Sequence, residues 1–183
     1  NKMAGVDIRW RMPRWSGFEL YAEGDADDFD GRNLKRGFKE DAGYLVGTAF
    51  SCLVQCGRFD LRAEYHQTGI RYYTHTNYPM ASRVFLLADP LGPRGLGFYL
   101  KAEGDAGHVG RLSIDAAFEA RSGNTYGAES TGPNDEGFHF VLLGRRPSEK
   151  RSRLTASWAG PDRRHLSVQL SAGAERVENF GFV

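Results

Sequence analysis

A chain of 183 residues with a formal net charge of +1 is one domain's worth of polypeptide, and it carries no polybasic surface of the kind that binds nucleic acid. Its 23 glycines and 13% aromatic residues suit many strands joined by turns better than helices. No run of 18 apolar residues occurs, which excludes a transmembrane helix but not a membrane β-barrel, whose alternating strands average out to near-polar.

The first residues, Asn1-Lys2-Met3-Ala4-Gly5, lack the apolar core of a signal peptide, so the chain is expected either to follow a removed signal or to begin partway through a protein. Val6 to Met12 then alternates strictly, with Val6, Ile8, Trp10 and Met12 on one face and Asp7, Arg9 and Arg11 on the other, because strand side chains point alternately up and down. Pro13 and Ser16-Gly17 turn the chain. Phe18 to Glu23 alternates again and puts Glu19, Tyr21 and Glu23 on its polar face. A polar loop rich in Gly and Asp covers residues 24–41. Tyr44 to Val54 is a third strand, with the small residues Gly47, Ala49 and Ser51 opposite a face of larger ones.

A tight turn at Cys56-Gly57 leads into Arg58 to His66, whose Asp60, Arg62, Glu64 and His66 oppose Phe59, Leu61, Ala63 and Tyr65. A long aromatic loop follows, and a strand over Gly95 to Glu103 carries Lys101 and Glu103. After the turn at Gly104-Asp105-Ala106-Gly107, Leu112 to Arg121 alternates for ten residues and carries Asp115 and Glu119. Phe138 to Arg145 is a strand of poorer contrast, since Val141 and Leu143 fall on its nominally polar side. Leu154 to Trp158 and a last strand from His165 complete an expected nine.

The connections alternate short and long, with one exception near residue 162. Short turns on one rim and long loops on the other are the habit of outer-membrane barrels, which in single bacterial chains have an even number of strands. An odd count therefore reads as the C-terminal part of a larger barrel or as a miscount. Alternation by itself fits two folds. A soluble sandwich or barrel turns the apolar face inward and its charges to water. A membrane barrel turns the apolar face to lipid and its charges to a lumen. Long uncharged apolar faces and aromatics near strand ends, among them Trp10, Phe18, Tyr44, Phe59, Tyr65, Phe98, Trp158 and Phe180, favour the membrane. On that reading Asp7, Arg9, Arg11, Glu19, Glu23, Asp60, Arg62, Glu64, Lys101, Glu103, Asp115 and Glu119 line the lumen. The fold class is all-β, an antiparallel up-and-down transmembrane barrel.

These residues resemble a known family. Gly5-Val6-Asp7-Ile8-Arg9-Trp10-Arg11, Phe18-Glu19-Leu20-Tyr21-Ala22-Glu23-Gly24, Gly57 to Tyr65, Tyr73 with His75 and Tyr78, and Pro90-Leu91-Gly92 are similar to the C-terminal half of the capsule assembly outer-membrane proteins, the Wzi family. The similarity spans Gly5 to Arg121 and departs at Ala88-Asp89, where Gly-His would stand before Pro-Leu-Gly. The resemblance implies a closed barrel with about twice these strands, set in outer-membrane lipid, that holds capsular or other surface polysaccharide as a lectin and not as an enzyme. A diffusion porin and a soluble ligand-binding β-domain are the alternatives, told apart by channel conductance and by a need for detergent.

The chemistry of the residues agrees with binding. No Gly-x-Ser-x-Gly, His-Glu-x-x-His or phosphate loop occurs. His66, His75, His108, His139 and His165 lack ligand spacing, so neither a metal nor a cofactor is expected. Carboxylates four apart on one strand, such as Asp115 and Glu119, stand roughly 13 Å apart, too far for a glycosidase pair. The loop from Thr68 to Arg94 carries Tyr72, Tyr73, His75, Tyr78, Arg83 and Asp89, which can stack on sugar rings and bond their hydroxyls. The same residues could equally pack the loop into a barrel mouth as a plug. Nothing in the pattern specifies a copy number.

Cys52 and Cys56 would be roughly 13 Å apart on an extended strand, too far to bridge, and could pair only if the chain turned between them. We predict no disulfide between them. Intact mass before and after reduction should be identical, and a gain of two hydrogens on reduction would show a bridge.

Overall fold

The computed structural model describes residues 4–15, 17–26, 42–54, 57–69, 81–82, 85–86, 91, 94–122, 125–130, 138–144, 147–161 and 167–182. Twelve strands occur among them: β1 (Ala4–Met12), β2 (Phe18–Ala26), β3 (Ala42–Val54), β4 (Gly57–Thr68), β5 (Ala81–Ser82), β6 (Phe85–Leu86), β7 (Gly95–Asp105), β8 (Arg111–Arg121), β9 (Thr125–Ser130), β10 (Phe138–Gly144), β11 (Glu149–Ala159) and β12 (Gln169–Glu178). Eight of these form one sheet in the order β1-β2-β3-β4-β7-β8-β11-β12. Every neighbouring pair in it is antiparallel, and the sheet is open, with β1 and β12 at its edges. This is the up-and-down all-β arrangement that the alternation implies. The only helical turns among the described residues are single 3₁₀ turns at Gly107–Val109 and Phe180–Phe182.

The expected nine strands in one sheet become eight. Phe138–Gly144 is a strand, but it pairs with Thr125–Ser130 in a separate hairpin and never enters the main sheet. Its poor facial contrast is the sequence mark of that difference, since a strand outside the wall need not keep one face apolar. With this hairpin set inside the long connection 122–148, the connections of the sheet alternate without exception: 13–17, 55–56, 106–110 and 160–168 are short, and 27–41, 69–94 and 122–148 are long. The irregularity near residue 162 disappears, and the strand count is even. The last strand begins at Gln169, later than the expected His165. Cys56 and the side chain of Cys52 lie outside the described residues.

Two of the short turns show tight backbone hydrogen bonding among the described residues. In the first, Trp15 N–H donates to Met12 O and Phe18 N–H to Trp15 O, both at 3.0 Å, and Gly17 takes φ +70°, a left-handed conformation that glycine adopts without strain. In the third, Ala106 N–H donates to Gly110 O at 2.9 Å. Trp158 on β11 donates from Nε1 to Val109 O at 2.8 Å and ties that turn to the neighbouring strand.

Burial is inverted relative to a water-soluble domain. Across the eight strands the apolar faces stand open: Ile8 is 65% exposed, Leu154 55% and Ile114 53%. The opposite face contains the most enclosed ionisable groups, with Glu119 8% and Glu149 4% exposed. A soluble sandwich or barrel would bury the first set and wet the second. Strands of 9 to 13 residues are long enough, when tilted, to cross a hydrocarbon layer. Aromatics stand near both ends of the apolar face. Tyr44, Tyr65, Phe98 and Phe118 lie toward the long loops, and Trp10, Phe18, Phe59 and Trp158 toward the short turns. Tyr65 packs on Phe98 at 4.9 Å between ring centroids and donates from its hydroxyl to Gln67 Oε1 at 2.7 Å, so its polar tip is satisfied at the apolar margin.

The inversion makes a sharp prediction. Leu100 is at the middle of β7 on the apolar face, next to Lys101 on the polar face. Leu100→Lys should destabilise the membrane-inserted protein by about 2–4 kcal/mol, the cost of a cation facing lipid at mid-depth. Denaturant titration in lipid vesicles reads this directly; a change below about 1 kcal/mol would place this face away from lipid.

Candidate functional site

Cross-strand partners in an antiparallel sheet share a face. The register pairs Asp7 with Glu23, Arg11 with Glu19, Asp60 with Glu103, Arg62 with Lys101, and Lys101 with Asp115. Gly97 lies between His66 and Glu119, and so carries the face across β7. All twelve charged residues singled out from the sequence therefore stand on one side of the sheet. Most of the ion pairs on this face lie within a strand, between residues two apart. Arg58 Nε is 2.9 Å from Asp60, Arg62 Nη2 is 2.5 Å from Glu64, and Lys101 Nζ is 3.3 Å from Glu103. Arg121 pairs with Glu119 at 3.1 Å and Arg151 with Glu149 at 2.7 Å. Two positions link neighbouring strands: Arg9 and Arg11 converge on Glu19 at 3.2 and 2.5 Å, and Arg111 reaches Glu103 at 3.0 Å. Asp7, Glu23 and Asp115 share the face and make no ion pair with a described residue.

On β2 the polar face is organised by Tyr21. Its strand neighbour on β3 is Gly47, and a Cβ there would lie 2.5 Å from the Tyr21 hydroxyl oxygen. Because glycine leaves that space open, the ring lies flat across β3 and reaches β4. There the Tyr21 hydroxyl donates to Glu64 Oε1 at 2.6 Å and accepts from Arg62 Nε at 2.8 Å. The guanidinium carbons of Arg9 and Arg62 stand 5.7 and 5.5 Å from the ring centroid, so the ring also serves two cations. From Glu64 the chain of contacts continues to His66 Nε2 at 3.3 Å. His66 meets Tyr99 edge-on at 4.9 Å. The Tyr99 hydroxyl donates to Glu119 Oε1 at 3.3 Å, and Arg121 Nη2 donates to Glu119 Oε2 at 3.1 Å. One band of contacts thus runs from β1 to β8 across the polar face, toward the long loops.

At that end the two feet of the Thr68–Arg94 loop are fastened together. Thr68 is buried, and its Oγ1 accepts from Gly95 N–H at 2.7 Å. Gly69 N–H donates to Ala42 O at 2.8 Å, and Arg94 N–H donates to Gly69 O at 2.9 Å. Leu91 is fully buried, and a Cβ at Gly95 would come within 2.6 Å of the Leu91 Cβ. Arg94 takes φ 53°, which ends the loop in a left-handed residue. Further along the same rim, Glu149 accepts from Gly181 N–H at 2.9 Å as well as from Arg151. The loop residues Tyr72, Tyr73, His75, Tyr78, Arg83 and Asp89 lie outside the described residues.

Parity alone puts Tyr21 and His66 on the polar face, and the structure adds Tyr99, Arg121, Glu149 and Arg151 to the functional set. Each shares the parity of the carboxylates it touches. For Tyr21 and His66 the available signal is an aromatic two residues from an acid on a charged face; Tyr99 stands two residues from Lys101 and lacks it, and Glu149 is hidden because Pro147-Ser148-Glu149 reads as a turn. No group of three or more His, Cys, Asp or Glu among the described residues is arranged to hold a metal.

The Tyr21–Gly47 contact is testable as a pair. Gly47→Val should cost about 1–3 kcal/mol by driving the ring out of its place. Tyr21→Ala combined with Gly47→Val should cost less than the sum of the two single changes, because the clash is gone. Additive losses in chemical denaturation would show that the ring does not depend on the space at Gly47.

An open sheet with an apolar outside and an ion-paired, tyrosine-strapped inside is the geometry of a membrane-barrel wall, and comparison with known proteins agrees. No curated protein and no solved structure matches the chain. The family model of capsule assembly protein Wzi matches residues 1–183. The chain therefore belongs to the Wzi capsule assembly family, and it is an outer-membrane protein of capsule assembly.

Proposed function

We propose that this protein holds capsular polysaccharide at the cell surface by direct, lectin-like contacts at the long-loop end of the sheet, with the polar face lining the lumen beneath. The observation that carries the reading is the pinning of the Thr68–Arg94 loop at both feet, by Thr68, Gly69, Leu91 and Arg94. A loop of this length needs ordered ends if its tip is to present a binding surface instead of merely connecting two strands. Its composition supports the same reading. Tyr72, Tyr73 and Tyr78 offer faces for sugar rings, His75 and Arg83 offer donors, and Asp89 offers acceptors for hydroxyls. Membership of a capsule assembly family supports a surface polysaccharide as the ligand.

Stacking of one ring on one sugar contributes about 1 kcal/mol by analogy with other aromatic contacts. Retention of a polymer then rests on many such contacts along a repeating chain, each weak and all linked. The band from Arg9 to Arg121 has a supporting part in this reading: it braces the wall from which the loop rises. The soluble alternative is disfavoured by the open apolar face.

Replacing Tyr72, Tyr73 and Tyr78 together by Ala should leave the protein in the outer membrane and release capsule into the medium. The measurement is the ratio of cell-bound to released polysaccharide, with outer-membrane abundance of the variant as the control. Full retention of capsule with normal abundance would mean that the loop is a plug and that the glycan is held elsewhere.

A further inference from the structure

On the apolar face of the eight-stranded sheet, β1, β2, β3, β4, β7 and β8 carry no charged residue at all. The three charges on this face, Lys150, Arg176 and Glu178, fall together at the long-loop end of β11 and β12. Their register makes them neighbours: Lys150 is opposite Glu178, Ser152 is opposite Arg176, and Lys150 and Arg176 are therefore diagonal partners. Arg176 Nη2 is 2.9 Å from Glu178 Oε1, yet the Arg176 side chain remains 80% exposed. Lys150 is also exposed. The patch carries two cations against one anion, at the level of Phe118 and Ala120 on β8, which is the level of the aromatic margin.

A groove of about 710 Å³ opens on the same face, with Thr48, Ala63 and Ala116 as small side chains in its floor. Phe118 and Ser152 line it as well, and Ser152 is the register partner of Arg176. An apolar channel thus leads to a cationic cluster at one end. A lipid with a phosphorylated headgroup has the complementary shape and charge. Its phosphate meets Lys150 and Arg176, which bind phosphate oxygens by charge-assisted hydrogen bonds, and an acyl chain lies along the groove. Cations that merely reach for the interface from long side chains would be scattered around the wall; these two are confined to adjacent strands above the groove.

We propose that the β11–β12 end of the apolar face is a seat for one phosphorylated outer-leaflet lipid, an inference that rests on this face being turned toward the membrane. The test uses the full-length protein in detergent, titrated with diphosphorylated lipid A and followed by native mass spectrometry. Dephosphorylated lipid A and inorganic phosphate are the comparison probes. One lipid A per chain should bind, and Lys150→Gln with Arg176→Gln should weaken it about tenfold, as expected for the loss of charge-assisted contacts. Ala116→Phe, which fills the groove and leaves both cations, should weaken lipid A several-fold. Equal binding of lipid A to wild type and to the double variant would overturn the proposal. So would dephosphorylated lipid A binding as tightly as the phosphorylated form, or inorganic phosphate binding as tightly as the lipid. Membrane flotation of the wild type separates two failures. A protein that floats with outer membranes yet holds no lipid A overturns the lipid seat alone; one that does not float overturns the membrane reading and the seat with it.

Discussion

In hydrocarbon a backbone N–H or C=O without a partner costs several kcal/mol, since no water is there to replace the lost bond. This constraint dictates most of what is seen here. The strands pair with both neighbours throughout the interior of the sheet, in continuous register from Ala4↔Ala26 through Lys150↔Glu178. The chain crosses in strands, and no helix among the described residues is long and apolar enough to do so. Once the ladder is complete, side chains are free to divide by solvent, and they do so by parity, apolar on one side and charged on the other, with Lys150, Arg176 and Glu178 at the long-loop margin as the exceptions.

The polar side faces a different difficulty. Long charged side chains crowded on one face must neutralise one another and leave few donors unmet. Small residues at Gly47 and Gly97 make this possible, because each gives room for a tyrosine to lie over the backbone and reach an acid. Tyr21 spans a whole strand in this way. The tyrosines act as struts between charge pairs that would otherwise be separate islands, and they carry the connection from β1 to β8.

Much of this was legible in the amino-acid order. The alternation of Val6 to Met12, of Arg58 to His66 and of Leu112 to Arg121 determined both strand positions and facing, because a period of two is a direct statement about sides. Alternation could not say which side meets lipid; that needed the burial contrast between residues such as Ile8 and Glu119. Pairing was less readable than facing. Phe138 to Gly144 reads as part of the wall, and its partner Thr125–Ser130 reads as loop, because strand propensity is local, whereas membership of a sheet is decided by a distant partner. The Tyr21–Glu64 bond, 43 residues apart, was invisible for the same reason. Charge pairs two residues apart, in contrast, were written in the sequence and only needed the strand to bring them together.

Those within-strand pairs bear on how such a wall can be assembled. Arg58 with Asp60, Arg62 with Glu64, Lys101 with Glu103, Arg121 with Glu119 and Arg151 with Glu149 each belong to a single strand. A strand of this kind carries its counter-ion with it before any neighbour has arrived. The penalty for removing charge from water is therefore reduced strand by strand and not withheld until the sheet is finished. Successive hairpins can then be added to a growing edge as nearly neutral units, so that the order of addition is set by backbone pairing and not by the need to bring opposite charges from different strands to the bilayer together.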